Sequence, residues 1–347
     1  MPPKADILAE PIRHIDITAT DVRPTVDAMR HMAFTSRDLA RAADIYDAML
    51  ADRDCAIILC IAGSMVSAGL KKVFTDLIDN HMVDAIVSTG ANIVDQDFFE
   101  ALGFNHYVAP DEYKSGIHDQ ALRELMIDRI YDTFIDEEQL RVADDTTKSI
   151  FDDLEPRPHT SRELMAVLGK HLDEHGVKGD GRSIIHSAYQ RDVPIYIPAL
   201  NDCSAGFGLV GHQKDRRDAG QPYMTHDGGG DFYELSKIKS LNRTTGLFMI
   251  GGGVPKNFAQ DITVAADYFD QEPALHKYAI QVTVADVRDG ALSSSTLKEA
   301  CSWGKVDTVH EQMVFSEATL AVPLIAGHAY HNASWKHREG KRLATQV

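Results

Sequence analysis

The stretch Glu299-Ala-Cys-Ser-Trp-Gly-Lys-Val-Asp307 contains a lysine in an unusual setting. Lys305 follows small and apolar residues and stands two positions after Trp303, one of 2 tryptophans in the chain. A lysine kept for solubility sits among other charges. One set against an aromatic wall is desolvated, gives up its proton more readily and becomes an amine nucleophile. Schiff-base formation with a carbonyl or an imine is the chemistry then open to it, with Gly304 leaving room for close approach. The same local sequence also suits a lysine closing a helix C-terminus, where a cation is favourable.

A second candidate is Ile-Gly-Gly-Gly-Val-Pro-Lys-Asn, residues 250–257. Its glycines follow an apolar run and precede a helical pattern with Pro255 near the first turn. Backbone without side chains can approach a phosphate, and a helix N-terminus offers free N–H groups to an anion. The spacing is not that of a dinucleotide fingerprint, so a tight strand-to-helix turn explains it equally well. His171/His175 in "HLDEH" match the H-x-x-E-H pattern of a zinc protease helix, but two histidines four apart on an exposed face are common by chance, and His328/His331 in "GHAYH" lack clustered cysteine or carboxylate partners. They read as hydrogen-bonded or solvated histidines, and no metal is expected.

The elements that must position these residues repeat one pattern. Short apolar runs ("CAIILCIAG", "VDAIVSTG", "VPIYIPAL", "GLFMIGGG", "YAIQVTVAD") each lead through small residues into a helical period. Runs apolar throughout are strands buried on both faces, and their alternation with helices predicts an α/β fold with a doubly wound, mainly parallel sheet and flanking helices. Such sheets bind ligands outside the carboxyl ends of their strands, where the glycine loops converge, and a dinucleotide is a reasonable ligand there. Residues 1–50 read as an arm with a helix in "SRDLARAADIYDAML", 51–335 as a single catalytic domain, and 336–347 as a polar, frayed tail. "ALRELMIDRIYDTFIDEEQL" (121–140) and "SRELMAVLGKHLDEHG" (161–176) read as helices.

The 347 residues are 44% hydrophobic and 25% charged, the balance of a soluble globular protein. The net charge of −17 disfavours nucleic acid and admits cationic partners. Four cysteines (Cys55, Cys60, Cys203, Cys301) are too few for a disulfide framework and suit free thiols in a reducing compartment. No run approaches the roughly 20 apolar residues of a membrane span, and no signal-peptide pattern is seen, so a cytoplasmic location is expected.

Seven ordered segments resemble the deoxyhypusine synthase family. "EACSWGKV" resembles its E-A-V-S-W-G-K segment, "AGSMVSAGL" its T-S-N-L-I-S-S-G loop, and "VSTGANIVDQD" its T-T-A-G-G-V-E-E-D loop. "IPALNDCSAG" resembles S-P-A-L-T-D-G-S-L-G, "IGGGVPKN" resembles L-G-G-G-V-V-K-H, "VADVRDG" resembles T-A-Q-E-F-D-G, and "FSEATLAVPL" resembles A-D-A-S-L-V-F-P-L. The resemblance implies a Rossmann-like fold, a homotetramer and NAD at subunit interfaces. It implies Lys305 as the covalent centre, holding a 4-aminobutyl group from spermidine as a Schiff base before passing it to an acceptor amine. Carried over by position, the cofactor residues are Gly63, Ser64, Ser67, Thr89, Gly90, Asp202, Gly252, Ala285, Asp289, Glu317 and Ala318. Glu299 is implied as an ammonium anchor, Trp303 as an apolar wall, and Gly253 as a substrate contact.

Departures from the family pattern fall on the substrate side. Phe207 and Leu292 stand where the family has acidic residues, and Phe258 where it has a histidine; the paired Glu-Glu becomes Asp95-Gln96. A buried ammonium without its carboxylate is poorly compensated. The expected activity is therefore an aminoalkyl transfer from a polyamine donor to a small amine acceptor, as in homospermidine synthase-like relatives. The alternatives are a true deoxyhypusine synthase acting on a lysine of a translation initiation factor, and a non-catalytic NAD-binding regulatory protein.

Overall fold

The computed structural model describes residues 2–269 and 274–347. Six strands form the central sheet: β1 (Ala56–Ile61), β2 (Ala85–Ser88), β3 (Ile195–Tyr196), β4 (Thr245–Ile250), β5 (His276–Thr283) and β6 (Val306–Phe315). They are all parallel, in the order β6-β5-β4-β1-β2-β3. The chain winds outward from β1 to β3, then returns and winds the other way from β4. This is the 3-2-1-4-5-6 order of a doubly wound nucleotide-binding sheet, with its switch point between β1 and β4.

Alternation along the strands explains why the runs are apolar throughout. Ile57, Leu59 and Ile61 of β1 face one core, and Ala56, Ile58 and Cys60 face the other. Helices Thr35–Ala51, Lys71–Asp79 and Ala318–Asn332 cover the first face. Gly228–Leu241 and Gly253–Ala265 cover the second. Tyr46, Met49 and Leu50 are fully buried, so the helix at 35–51 is an integral layer of the fold. β6 is the strand that the apolar runs did not announce. It lies at the sheet edge, and its segment "VDTVHEQMVF" is only partly buried. Among the described residues no helix is long and apolar enough to cross a membrane.

Two expectations fail. The stretch 121–140 is not one helix. A helix at Asp119–Glu124 gives way to an antiparallel hairpin, Ile127–Ile130 with Thr133–Asp136, before a second helix begins at Glu137. Met126 and Tyr131 take left-handed backbone angles (φ 56° and 49°) that end the helical path. The β-branched Ile127, Ile130, Thr133 and Ile135 suit the ladder that follows. The tail is not frayed either. The Arg338 guanidinium donates to Asp84 Oδ2 at 2.7 Å and to the Cys55 carbonyl at 2.9 Å, with both side chains of the ion pair inaccessible. The Lys341 N–H donates to Asp84 Oδ1 at 3.0 Å, and Leu343 is fully buried. Asp84 also accepts the Ile57 N–H of β1, so the tail is tied to the sheet.

Candidate active site

The loops after β1, β4, β5 and β6 meet at one end of the sheet around a cavity of about 380 Å³. Gly63, Gly252, Ala285, Glu317 and Ala318 line it, together with Met65 and Ser293. Gly252 is the N-cap of the helix Gly253–Ala265 and brings no side chain of its own to the helix N–H groups. A Cβ on Gly252 would lie 2.3 Å from Ser293 Cα, so only glycine fits. Gly253 has a left-handed φ of 58°, and a Cβ there would point into open space. The Gly253 N–H donates to Ser293 Oγ at 3.0 Å.

Ser64, Ser67, Thr89 and Gly90 do not line this cavity but belong to the loops next to Gly63 and Met65, which do. Asn92 ties them together: its Nδ2 donates to the Gly63 carbonyl at 2.6 Å and to Thr89 Oγ1 at 2.9 Å, and its Oδ1 accepts the Met65 N–H at 2.8 Å. The Ser67 N–H donates to Gln96 Oε1 at 2.9 Å, and the Ser67 hydroxyl to the Ser64 carbonyl at 3.0 Å. Gly90 packs so tightly that a Cβ would fall 2.3 Å from Cys203 Sγ. Nearby, Asp95 accepts the Ser204 N–H at 2.6 Å, and burial pushes its carboxyl up to about 6. Asp202 and Asp289 are exposed on the loops after β3 and β5. Asn92 is the residue that sequence reasoning missed here, because its polar setting in "ANIVDQD" carried no sign of burial; Gln96, read from sequence as a departure from the family's paired Glu-Glu, is buried against the Ser67 N–H.

A second cavity, of about 470 Å³, runs along the helix Gly253–Ala265. Leu292, Glu299, Trp303 and Lys305 line it, as do Asn257, Gln260 and Asp261. Lys305 immediately precedes β6, and its side chain does not cap the helix Leu297–Ser302. Its Nζ lies 2.6 Å from Asp261 Oδ1 and donates to Asn257 Oδ1 at 3.1 Å. Asn257 Nδ2 in turn donates to Asp261 Oδ2 at 2.7 Å. The two residues are one helical turn apart on one face, which closes a triangle of three polar groups. The Trp303 ring centroid is 5.4 Å from Nζ, a cation–π distance, yet 70% of the residue is exposed. The expected dry aromatic wall is thus, in the isolated chain, a carboxylate-lined recess with tryptophan at its mouth. Glu299 belongs to a capping box: its Oε2 accepts the Thr296 N–H at 2.6 Å, and the Thr296 donors hold the carboxyl below the usual range.

The segment Gly290–Ser295 separates the cavities, giving Ser293 to one and Leu292 and Ser295 to the other. It is clamped from below. Gln281 Nε2 donates to the Ser293 carbonyl at 3.0 Å, and Lys256 Nζ donates to the Ser295 carbonyl at 2.5 Å. Lys256 is buried, and burial pulls its amine down to about 8, with Glu299 opposing. Between about pH 8 and the unfolded value of 10.5 the folded chain therefore binds fewer protons than the unfolded chain, and stability rises with pH across that window. Urea unfolding at pH 7.5 and 9.5 should show this rise in the wild type and a smaller one in Lys256→Met. An equal rise in the variant would refute the assignment.

Two candidates lie elsewhere. Phe207 is 68% exposed on the helix Ser204–Asp218 and lines neither cavity. Phe258 turns away from the lysine and packs on Phe232 at a centroid distance of 5.2 Å in the second core. Asn257, its neighbour, is the residue that reaches Lys305. The histidine pairs have local partners. His175 Nδ1 bonds the His171 carbonyl, His328 meets Asp27, and His331 meets the Ile17 carbonyl.

The model of the deoxyhypusine synthase family matches residues 25–329. The chain belongs to the deoxyhypusine synthase family. Relatives named deoxyhypusine synthase-like protein are 57% identical over 336 residues in Chlorobaculum parvum and 54% identical over 341 residues in Coxiella burnetii. These alignments span 96% and 98% of this chain and 93% and 95% of the relatives. A solved structure of a candidate deoxyhypusine synthase from Entamoeba histolytica shares the fold, with a TM-score of 0.57 at 16% identity, over 92% of this chain and 97% of that one. Family membership places the protein among the transferases.

Proposed function

We propose that this protein is an NAD-dependent aminoalkyl transferase that carries a 4-aminobutyl-type group as an imine on Lys305, from a polyamine donor to a small amine acceptor. The observation that carries this reading is the lysine cavity: among the described residues Lys305 is the one cation lining it, and it shares the cavity with the carboxylates of Asp261 and Glu299. Such a recess suits an amine with a cationic end far better than an anion. Trp303 and Leu292 offer apolar surface to the methylenes between the ends of a polyamine.

The strand-end cavity fits NAD. Gly63, Gly251 and Gly252 keep side chains out of it, the helix Gly253–Ala265 with its glycine N-cap begins at its edge, and it lies at the switch point. Gly252 and Gly253 would face a pyrophosphate, and Glu317 could accept from ribose hydroxyls. Reversible hydride exchange at the carbon that passes from one nitrogen to the next is the chemistry this cofactor supplies when bound. Lys305 supplies the nucleophile, and Glu299 and Asp261 orient the ammonium ends. A homotetramer in the cytoplasm would complete the picture, because a neighbouring subunit laid over Trp303 would exclude water from the imine.

The exposed mouth at Trp303 would also admit a lysine side chain from a protein, which keeps a protein acceptor as the second reading. Incubation with NAD, labelled spermidine and a panel of diamines, followed by mass spectrometry, tests both. A homospermidine-type product formed from spermidine and putrescine is the expected result. Label found only on an initiation factor would favour the second reading. Bound NAD with no amine consumed, and no adduct trapped at Lys305 by borohydride, would sink both and leave a binding protein.

A further inference from the structure

An ammonium has no lone pair, so Lys305 must lose a proton before it can attack, and must regain one when it leaves. Asp261 is the group placed to handle that proton. Its Oδ1 lies 2.6 Å from Lys305 Nζ, and it lines the cavity where an acceptor amine would enter. Its other oxygen is fixed by Asn257 Nδ2 at 2.7 Å, which aims Oδ1 at the lysine. Glu299, the other carboxylate lining the cavity, holds the Thr296 N–H with one oxygen, and it is Asp261 that pairs with Lys305 Nζ.

We propose that Asp261 is the counter-ion and proton relay of Lys305, oriented by Asn257; this rests on the transferase reading above. The incoming amine arrives as an ammonium and gives a proton to Asp261. Its freed lone pair forms the new C–N bond to the carbon of the Lys305 iminium. Asp261 protonates Nζ and takes a proton from the new nitrogen. The old C–Nζ bond then breaks with its electron pair on Nζ, and Nζ takes the remaining proton back from Asp261. The transfer ends with an iminium on the acceptor and Lys305 again paired with Asp261. No electrons are gained or lost, and no water takes part.

The test compares wild type, Asp261→Asn and Asp261→Ala, with NAD affinity and the urea midpoint as controls for folding. Transfer should fall by roughly 10²- to 10⁴-fold in both variants, the range for a positioned acid–base group. In Asp261→Asn the loss should shrink as pH rises, because the acceptor amine then arrives already deprotonated. Formate should restore Asp261→Ala in a concentration-dependent way, which a merely structural role would not allow. If Asp261→Asn turns over within about threefold of wild type from about pH 6 to 10 while the Lys305 adduct is still trapped, the relay role is overturned and the transferase reading stands. If wild type itself yields no Lys305 adduct, the transferase reading fails and the relay falls with it.

Discussion

Lys305→Ala and Lys305→Arg should each lower aminoalkyl transfer by roughly 10⁴-fold or more while leaving NAD affinity almost unchanged. The two effects separate because the lysine side chain contacts Asn257, Asp261 and Trp303, whereas the strand-end cavity is built from the loops after β1, β4, β5 and β6. Arginine is the sharper control. It keeps a cation beside Asp261 and so preserves the local charge balance, but its guanidinium stays protonated and cannot form the imine. Single-turnover product analysis, borohydride trapping and a cofactor titration on the same preparations check the claim. Either variant retaining a tenth of wild-type transfer would refute Lys305 as the covalent centre.

The largest effect on stability is expected at the opposite end of the sheet. Arg338→Ala should cost about 3–5 kcal/mol, because it leaves Asp84 as a buried carboxylate without its cation. The Ile57 and Lys341 N–H groups still reach Asp84, but two neutral donors do not replace a guanidinium in a site closed to water. Arg342→Ala is the contrast. Arg342 also pairs with an aspartate, Asp192, but its side chain is 70% exposed, and the expected loss is below about 1 kcal/mol. Urea unfolding of the two variants should rank them in that order. A cost under about 1 kcal/mol for Arg338→Ala would mean that the tail contributes little to the fold.

What could be read before the structure follows from how each feature is encoded. Strands β1, β2, β4 and β5 are buried on both faces and therefore appear as unbroken apolar runs. β6 lies at an edge and mixes Asp307, His310 and Glu311 into its pattern, so nothing marked it. The hairpin at 127–136 sits in a charged stretch of helical composition, and its deciding features are two left-handed residues that carry no glycine. The tail looked solvated because the residue that buries it is an arginine, and only Asp84, about 250 positions away, makes that burial affordable. In the site, Lys305, Trp303 and Glu299 were legible because they share one short segment. Asp261 was not, since its place beside Lys305 depends on how the helix Gly253–Ala265 is laid against the start of β6.

The Gly290–Ser295 segment is a common wall, and a common wall makes the two cavities thermodynamically accountable to each other. Ser293 and Leu292 are chain neighbours that line different cavities, so a ligand that shifts one pulls on the other. Any gain or loss of affinity that follows is equal in both directions. Such coupling would tie the order of cofactor and amine binding to the stiffness of six residues held by Lys256, Gln281 and the Gly253 N–H. The enzyme's kinetic sequence would then be written in a loop that takes no part in the chemistry.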